Sequence, residues 1–139
     1  KWLNLIKTNL KGLRHIVGGF DYWDDERIRT GDKWKQEIEK ALQSSGAAIL
    51  IITPNFLASD FISNNELPPI LTKAQEEGTH IFPVIARKSL FSRSPLSEFQ
   101  AVNPPEKPLN ACSDAQVDDY LYRLMDDIII KLGLENKAK

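Results

Sequence analysis

The run Ala47 to Thr53, AAILIIT, is the feature that most narrows the folds open to this chain. Its apolar residues follow one another without polar interruption, which is typical of a strand buried on both faces inside a parallel sheet. A second short run, HIFPVIA (His80 to Ala86), also predicts a buried strand. Pro83 lies inside it and cannot donate a backbone hydrogen bond, so this strand is expected at an edge-like or bulged position.

The segment between these two runs predicts a helix. Leu67, Ile70, Leu71 and Ala74 recur at i, i+3, i+4 and i+7, which places them on one helical face. Gly78 marks the end of this helix. A single carboxylate, Glu66, precedes the apolar face and follows the strand AAILIIT, which is predicted to be central in the sheet. Ligands bind at the carboxyl ends of strands in open α/β sheets.

The remaining chain alternates in the same way. The patterns predict a first helix from Trp2 to a turn at Lys11-Gly12, then a strand from His15 to Trp23. A second helix follows from Asp32 to Gly46. After a long loop from Arg87 to Pro108 with one helical turn near Leu96 to Phe99, Leu109 to Cys112 offers a very short strand, and Ser113-Asp114 caps a final helix ending at Gly133.

Alternating helices and strands predict an α/β fold, a parallel sheet with helices on both faces. The array opens on a helix, whereas parallel arrays usually open on a strand, so we expect a strand upstream of Lys1. We interpret residues 1–134 as one domain and residues 135–139 as a polar tail or linker.

Composition disfavours several classes of protein. The 139 residues carry a net charge of −1, with Lys and Arg scattered rather than clustered, which argues against nucleic-acid binding. The single cysteine, Cys112, allows no intrachain disulfide and no cysteine-based metal cluster, and fits a cytoplasmic protein. No apolar run approaches the roughly 20 residues of a membrane helix. We expect no metal, no cofactor and no membrane partner.

Several motifs in order resemble the TIR (Toll/interleukin-1 receptor) domains, specifically their bacterial branch. FDYWDDERIRTGDKW resembles the family's second strand and its BB loop. AAILIITPNFLASDF resembles the strand that comes next in the family after a helix, together with the Ser/Thr-Pro-x-Phe-Leu motif that follows that strand. NNEL resembles the start of the helix that carries the catalytic glutamate, and IFPVIA resembles the fourth strand. The resemblance implies a flavodoxin-like fold of five parallel strands, of which the first is missing from this chain.

The resemblance also implies a function. Enzymatic members cleave NAD+ at the nicotinamide–ribose bond, releasing nicotinamide and ADP-ribose or a cyclised ADP-ribose. Bacterial members commonly serve in anti-phage defence beside a fused or partner sensor domain, and they assemble with other TIR domains. NAD+ would be the substrate, and Glu66 the catalytic carboxylate.

The chemistry fits a single carboxylate. Nicotinamide leaves a pyridinium as a neutral molecule, so the general acid of ordinary glycoside hydrolysis is not needed. An ionised carboxylate beneath the ribose can stabilise an oxocarbenium-like centre and order the ribose hydroxyls. A negative charge at a helix N-terminus is itself stabilised by ~0.3–1 kcal/mol.

A purely structural role for Glu66 is the alternative. Ser63-Asn64-Asn65-Glu66 matches a capping box, in which the glutamate satisfies a backbone N–H. The tandem prolines Pro68-Pro69 argue against it, because Pro68 would then lie beyond the first turn and remove a helix hydrogen bond. We therefore expect the regular helix to start near Pro68, with Glu66 just before it.

Other site residues rest on the resemblance. Asp21, Trp23 and Asp24 would contact substrate, although Asp21 also suits a turn and Trp23 could instead pack the loop. Phe61 and Ile62 would line the pocket; many active members have tryptophan at the position of Ile62, and Phe61 could replace it for stacking. In the BB loop, assembly residues would be Ile28, Arg29 and Gly31.

Competing functions stay open at this point. One is a non-catalytic scaffold that acts through homotypic TIR–TIR association. A phospho-receiver would need an acidic residue at the end of AAILIIT, where Thr53-Pro54 stands. A nucleoside deoxyribosyltransferase shares the general layout and a glutamate, and is a distant alternative.

Overall fold

The computed structural model describes residues 2–17, 42, 46–58 and 66–133. The described elements are, in order, helix α1 (Trp2–Val17), strand β1 (Ala47–Ile52), the one-turn helix α2 (Pro54–Leu57), helix α3 (Leu67–Glu76), strand β2 (His80–Ile85) and helix α4 (Asp114–Leu132). Three short 3-10 helices, Phe91–Arg93, Pro95–Glu98 and Leu109–Ala111, lie between β2 and α4.

The two described strands form a parallel pair, as their apolar sequences predict. They align in register from Ala47 opposite His80 to Ile52 opposite Ile85. Backbone hydrogen bonds continue the pairing at both ends, from the His80 N–H to the Gly46 carbonyl and from the Ala86 N–H to the Ile52 carbonyl. The carboxyl ends of both strands therefore lie at one edge of the sheet.

Strand alternation sends side chains to two separate cores. On one face, Ile49 and Ile51 of β1 and Phe82 and Val84 of β2 pack with residues of α1 and α4. On the other face, Ile52, Ile81 and Ile85 pack with α3 and the first two 3-10 helices. Helices thus cover both faces, as the alternating pattern predicts, and the described part is a three-layer α/β unit.

Burial of the two strands differs. Residues Ile81 to Ile85 of β2 are all buried, whereas Ala47 to Ile51 of β1 are only half-buried, and Ile52 alone in that strand is fully enclosed. The prediction of full burial along AAILIIT is therefore right for the last residue of β1 and too strong for the rest.

Helix α4 follows its sequence signals closely. The Ser113 Oγ accepts from the Gln116 N–H while the Gln116 side chain accepts from the Ser113 N–H, forming a capping box. Gly133 ends the helix in a left-handed conformation, φ 66°. Its buried face comprises apolar residues that recur at helical spacing: Val117, Leu121, Leu124, Met125 and Ile128.

The outer edge of β2 is closed by irregular chain. The Val102 N–H donates to the Pro83 carbonyl at 2.8 Å, and the side-chain amide of Asn103 bonds to both backbone groups of Ile85. Because His80 and Ala86 donate to β1, the nitrogen of Pro83 alternates to the opposite side. The edge-like position predicted from this proline is confirmed within the described chain.

Two predictions near the start of the chain, a turn at Lys11-Gly12 and a strand from His15, are wrong. Helix α1 runs through the predicted turn at Lys11-Gly12 and includes His15, Ile16 and Val17, so no strand begins at His15. An internal glycine destabilises a helix by only about 1 kcal/mol relative to alanine. The burial of Ile6 and Leu10 against α4 stabilises α1 by more than this.

The segment Leu109 to Cys112 is a 3-10 turn rather than a short strand. Asn103 occupies the hydrogen-bonding groups of Ile85, which an added strand would need. The helical turn predicted near Leu96 is present at Pro95–Glu98. Cys112 is half-buried, with its thiol donating to the Pro108 carbonyl at 3.3 Å, so it is less enclosed than a core residue.

The predicted strand up to Trp23, the helix from Asp32 and the tail 135–139 lie outside the described residues, apart from Leu42, which is helical and buried. In the described part, none of the helices is long and apolar enough to span a membrane.

Candidate functional site

Glu66 is the residue immediately before helix α3. It occupies the N-cap position with φ −90° and ψ −42°, and its side chain makes no capping hydrogen bond to the helix. Pro68 and Pro69 fall in the first turn, where a missing N–H leaves no helix bond unmade. The helix therefore begins where the tandem prolines predict, one residue before Pro68, and Glu66 is half-buried rather than fully exposed.

This start removes the capping-box explanation in its original form. A box with Ser63 as N-cap would require Glu66 to be the third residue of a helix. Glu66 instead stands at the N-cap of a helix whose first residue is Leu67. Ser63 itself lies outside the described residues.

The βαβ connection sets the height of Glu66 relative to the sheet. Gly78 (φ 105°) and Thr79 join the end of α3 to the start of β2, and the Thr79 N–H donates to the Ala74 carbonyl. The 10 residues of α3 rise roughly 15 Å, and the 6 residues of β2 span a similar roughly 17 Å in the opposite direction. Glu66 is consequently on the side of the sheet where the strands end.

Core packing supports the same placement. Leu67, next to Glu66, belongs to the buried cluster that contains Ile52 and Ile85, the last residues of the two strands. The Thr72 hydroxyl of α3 also donates to the Glu98 carboxylate at 2.7 Å, tying the helix to the 3-10 segment after β2. Glu66 is thus held by a helix fixed at several points against the sheet.

The chain after β2 brings two cations to this edge. The Arg87 N–H donates weakly, at 3.4 Å, to the same Ile52 carbonyl that accepts from Ala86. Arg87 and Lys88 are exposed, and Leu90 beyond them is 73% exposed. Sequence reasoning missed these residues, although two basic side chains directly after HIFPVIA were a readable signal.

At the end of β1, Thr53 turns the chain back. Its Oγ1 accepts from the Phe56 N–H at 3.1 Å, which caps the one-turn helix α2 with Pro54 in its first turn. Phe56 and Leu57 are half-buried against the same core as Leu67. The chain directly after β1 is therefore helical over Pro54–Leu57.

The remaining predicted site residues lie outside the described residues. They are the substrate-contacting Asp21, Trp23, Asp24, Phe61 and Ile62 and the assembly residues Ile28, Arg29 and Gly31. Of the predicted set the structure places Glu66 alone. The described residues contain no group of three or more His, Cys, Asp or Glu side chains that could hold a metal ion.

The described geometry is that of a parallel α/β domain with a carboxylate at the edge where its strands end. The TIR domain family model matches residues 1–113, and the chain belongs to this family. The family includes NAD+-cleaving enzymes and non-catalytic scaffolds, and its domains associate homotypically.

Comparison with individual proteins adds little on function. The chain is 23% identical over 97 residues to the "Uncharacterized protein y4lF" of Sinorhizobium fredii (strain NBRC 101917 / NGR234). The match covers 70% of this chain and 30% of that protein, so the chain spans under a third of its relative's length. No solved structure matches the chain.

Proposed function

We propose that this TIR domain is an NAD+ glycohydrolase or cyclase, with NAD+ as substrate and Glu66 as its catalytic carboxylate. The observation that carries the proposal is the position of Glu66. It is a half-buried acid at the start of α3 that does not cap its own helix.

The proposed reaction breaks the bond between the nicotinamide nitrogen and C1′ of its ribose. The bonding electrons stay on the nitrogen, so nicotinamide leaves neutral and needs no proton from the protein. Positive charge develops at C1′ and the ring oxygen, where a nearby carboxylate stabilises it. Water then adds to C1′ and loses a proton to solvent, giving ADP-ribose, or a nucleophile within the same molecule adds and gives a cyclic product.

Glu66 serves as an electrostatic stabiliser and as an acceptor for ribose hydroxyls. The placement beside the helix N-terminus favours negative charge there by ~0.3–1 kcal/mol. A substrate bound at the end of the strands would meet this carboxylate from the open side of the sheet. No metal and no further cofactor takes part.

Assembly with other TIR domains and a cellular role complete the proposal. The sheet would be completed to five parallel strands in a flavodoxin-like order by chain outside the described residues. Association with other TIR domains through the loop containing Ile28, Arg29 and Gly31 would assemble the site. A fused or partner sensor would trigger that assembly in the cytoplasm, in anti-phage defence.

The test is turnover of NAD+ by the protein at its full natural length in its assembled state. Nicotinamide release is followed by chromatography, and product mass separates linear from cyclic ADP-ribose. We expect Glu66→Gln to reduce turnover by at least about a hundredfold, because the variant loses the charge that stabilises the transition state. Glu76→Gln on the last turn of α3 is the matched control and should leave turnover unchanged.

Normal turnover by Glu66→Gln would remove the site assignment while leaving the activity in place. A protein that assembles yet releases no nicotinamide would instead be a scaffold of the same family.

A further inference from the structure

Among the described residues, the chain directly after β2 carries two basic side chains at the carboxyl edge. Arg87 and Lys88 are exposed, and among the described residues neither side chain forms an ion pair or hydrogen bond. The Oγ of the next residue, Ser89, is enclosed and has no hydrogen-bond partner in the described part of the chain. An enclosed oxygen has no surface to offer a bound molecule, so the groups that this segment presents to a ligand are the two exposed cations.

The backbone fixes this segment close to the end of both strands. Ala86 and Arg87 both donate to the Ile52 carbonyl, and the Asn110 N–H donates to the Ala86 carbonyl at 3.1 Å. Two residues after Ser89, Phe91 is buried in the core that also contains Leu67. The three polar residues therefore sit on a short connection anchored at both ends, on the side of the sheet where Glu66 starts α3.

Two adjacent exposed cations suit one kind of ligand group, a phosphate or diphosphate. Arg binds phosphate oxygens through its planar fork, and Lys binds them as a point charge. The Glu66 carboxylate at this edge suits the opposite end of a nucleotide, a sugar with hydroxyl groups and developing positive charge. The two kinds of group are on neighbouring connections, β1 to α3 and the chain that follows β2.

We infer that Arg87 and Lys88 bind the diphosphate of NAD+ while Glu66 faces its nicotinamide ribose. The inference rests on the proposed function for the identity of the substrate. It assigns a binding role, not a catalytic one: the two cations hold the diphosphate in the ground state and the transition state alike. Removing them should therefore weaken binding and leave the chemical step intact.

The experiment compares two double variants of the full-length protein. Arg87→Gln with Lys88→Gln removes the proposed site, and Lys73→Gln with Arg93→Gln removes the same charge from exposed positions on α3 and the first 3-10 helix. Two readouts are taken: steady-state kinetics with NAD+, and calorimetric binding of ADP-ribose and of adenosine. Adenosine lacks phosphate and reports whether the rest of the site is intact.

For the variant at Arg87 and Lys88 we expect KM for NAD+ and Kd for ADP-ribose to rise at least about tenfold, because the phosphate oxygens lose two charged hydrogen-bond donors. We expect kcat to change less than about threefold and adenosine binding to be unaltered. The control pair should behave as wild type at 150 mM salt, where distant exposed charges are screened beyond about 8 Å.

Failure of the inference and failure of the proposed function give different results. Unchanged KM and Kd in the Arg87–Lys88 variant, or equal losses in both double variants, would overturn the inference while NAD+ turnover still supported the function. If neither the wild type nor any variant turned over NAD+, yet ADP-ribose binding depended on Arg87 and Lys88, the diphosphate site would be supported. The proposed glycohydrolase activity would then be contradicted. A fall in kcat with KM unchanged would also overturn it, because the cations would then act on the chemistry.

Discussion

The side chain of Asn103 pairs with the backbone of Ile85 as a neighbouring strand would. Its Oδ1 accepts from the Ile85 N–H at 2.9 Å and its Nδ2 donates to the Ile85 carbonyl at 2.9 Å. The same Nδ2 also donates to the Lys107 carbonyl at 2.9 Å, and the residue is 1% exposed. One amide therefore satisfies the outer edge of β2 near the candidate site and shapes the turn that follows.

Asn103→Leu should be among the most destabilising single changes in the described chain. It leaves the two backbone groups of Ile85 without their partner and the Lys107 carbonyl with only the Cys112 thiol at 3.7 Å, and each unsatisfied buried group costs about 1–3 kcal/mol. We expect a loss of roughly 3–5 kcal/mol in urea unfolding. Asn110→Leu, at an exposed asparagine seven residues on, is the control and should change stability by less than ~0.5 kcal/mol. Equal effects of the two variants would show that the pairing with Ile85 carries no stability.

Leu124→Ala tests the packing of α4 on the sheet. Leu124 is fully buried in the cluster with Ile6, Phe82 and Val84, so truncation leaves a cavity as well as losing apolar burial. We expect a loss of ~2–5 kcal/mol by urea or thermal unfolding. Ile130→Ala, on the outer face of the same helix and 56% exposed, should cost less than ~1 kcal/mol. A small effect at Leu124 would contradict the placement of α4.

Ser113→Ala tests the capping box of α4. The variant removes the acceptor for the Gln116 N–H and frees the reciprocal bond, and losing such a cap costs ~0.5–2 kcal/mol. Ser92→Ala, at an exposed serine in the first 3-10 helix, is the matched control with no expected effect. Indistinguishable unfolding midpoints for the two variants would contradict the cap.

Gly133→Ala tests the left-handed end of α4. At φ 66° a side chain is strained, although the space around the added carbon is open. The cost should be about 1 kcal/mol, and Gly133→Asn should recover part of it, because asparagine tolerates this conformation better than alanine. If alanine and asparagine prove equal to glycine in thermal unfolding, α4 does not end in this conformation.

Sequence reasoning recovers the elements whose local signals agree with their tertiary surroundings. Examples are AAILIIT, HIFPVIA and the apolar residues from Val117 to Ile128. In these segments the spacing of apolar residues agrees with the positions that face the core. The start of α3 was predictable because two prolines after Leu67 restrict the backbone whatever surrounds them.

Errors arose where a weak local signal competed with packing. Gly12 suggested a turn, yet α1 continues through it because Ile6 and Leu10 pack on α4. Leu109 to Cys112 suggested a strand, but the edge it would join is already satisfied by Asn103, a long-range contact across 18 residues that no local pattern reveals. Within the candidate site, Glu66 could be found from sequence, whereas the position of Arg87 and Lys88 depends on the pairing of β2 with β1.

The central claim is that Glu66 belongs to an NAD+-cleaving site, and turnover by the assembled full-length protein tests it most directly. Wild-type protein and Glu66→Gln are incubated with NAD+ under conditions where both are shown to associate equally, and nicotinamide is measured over time. We predict steady nicotinamide release by the wild type, with ADP-ribose or its cyclic form as co-product, and at least about a hundredfold less from the variant. Equal release by the two proteins, or none by the assembled wild type, would contradict the claim.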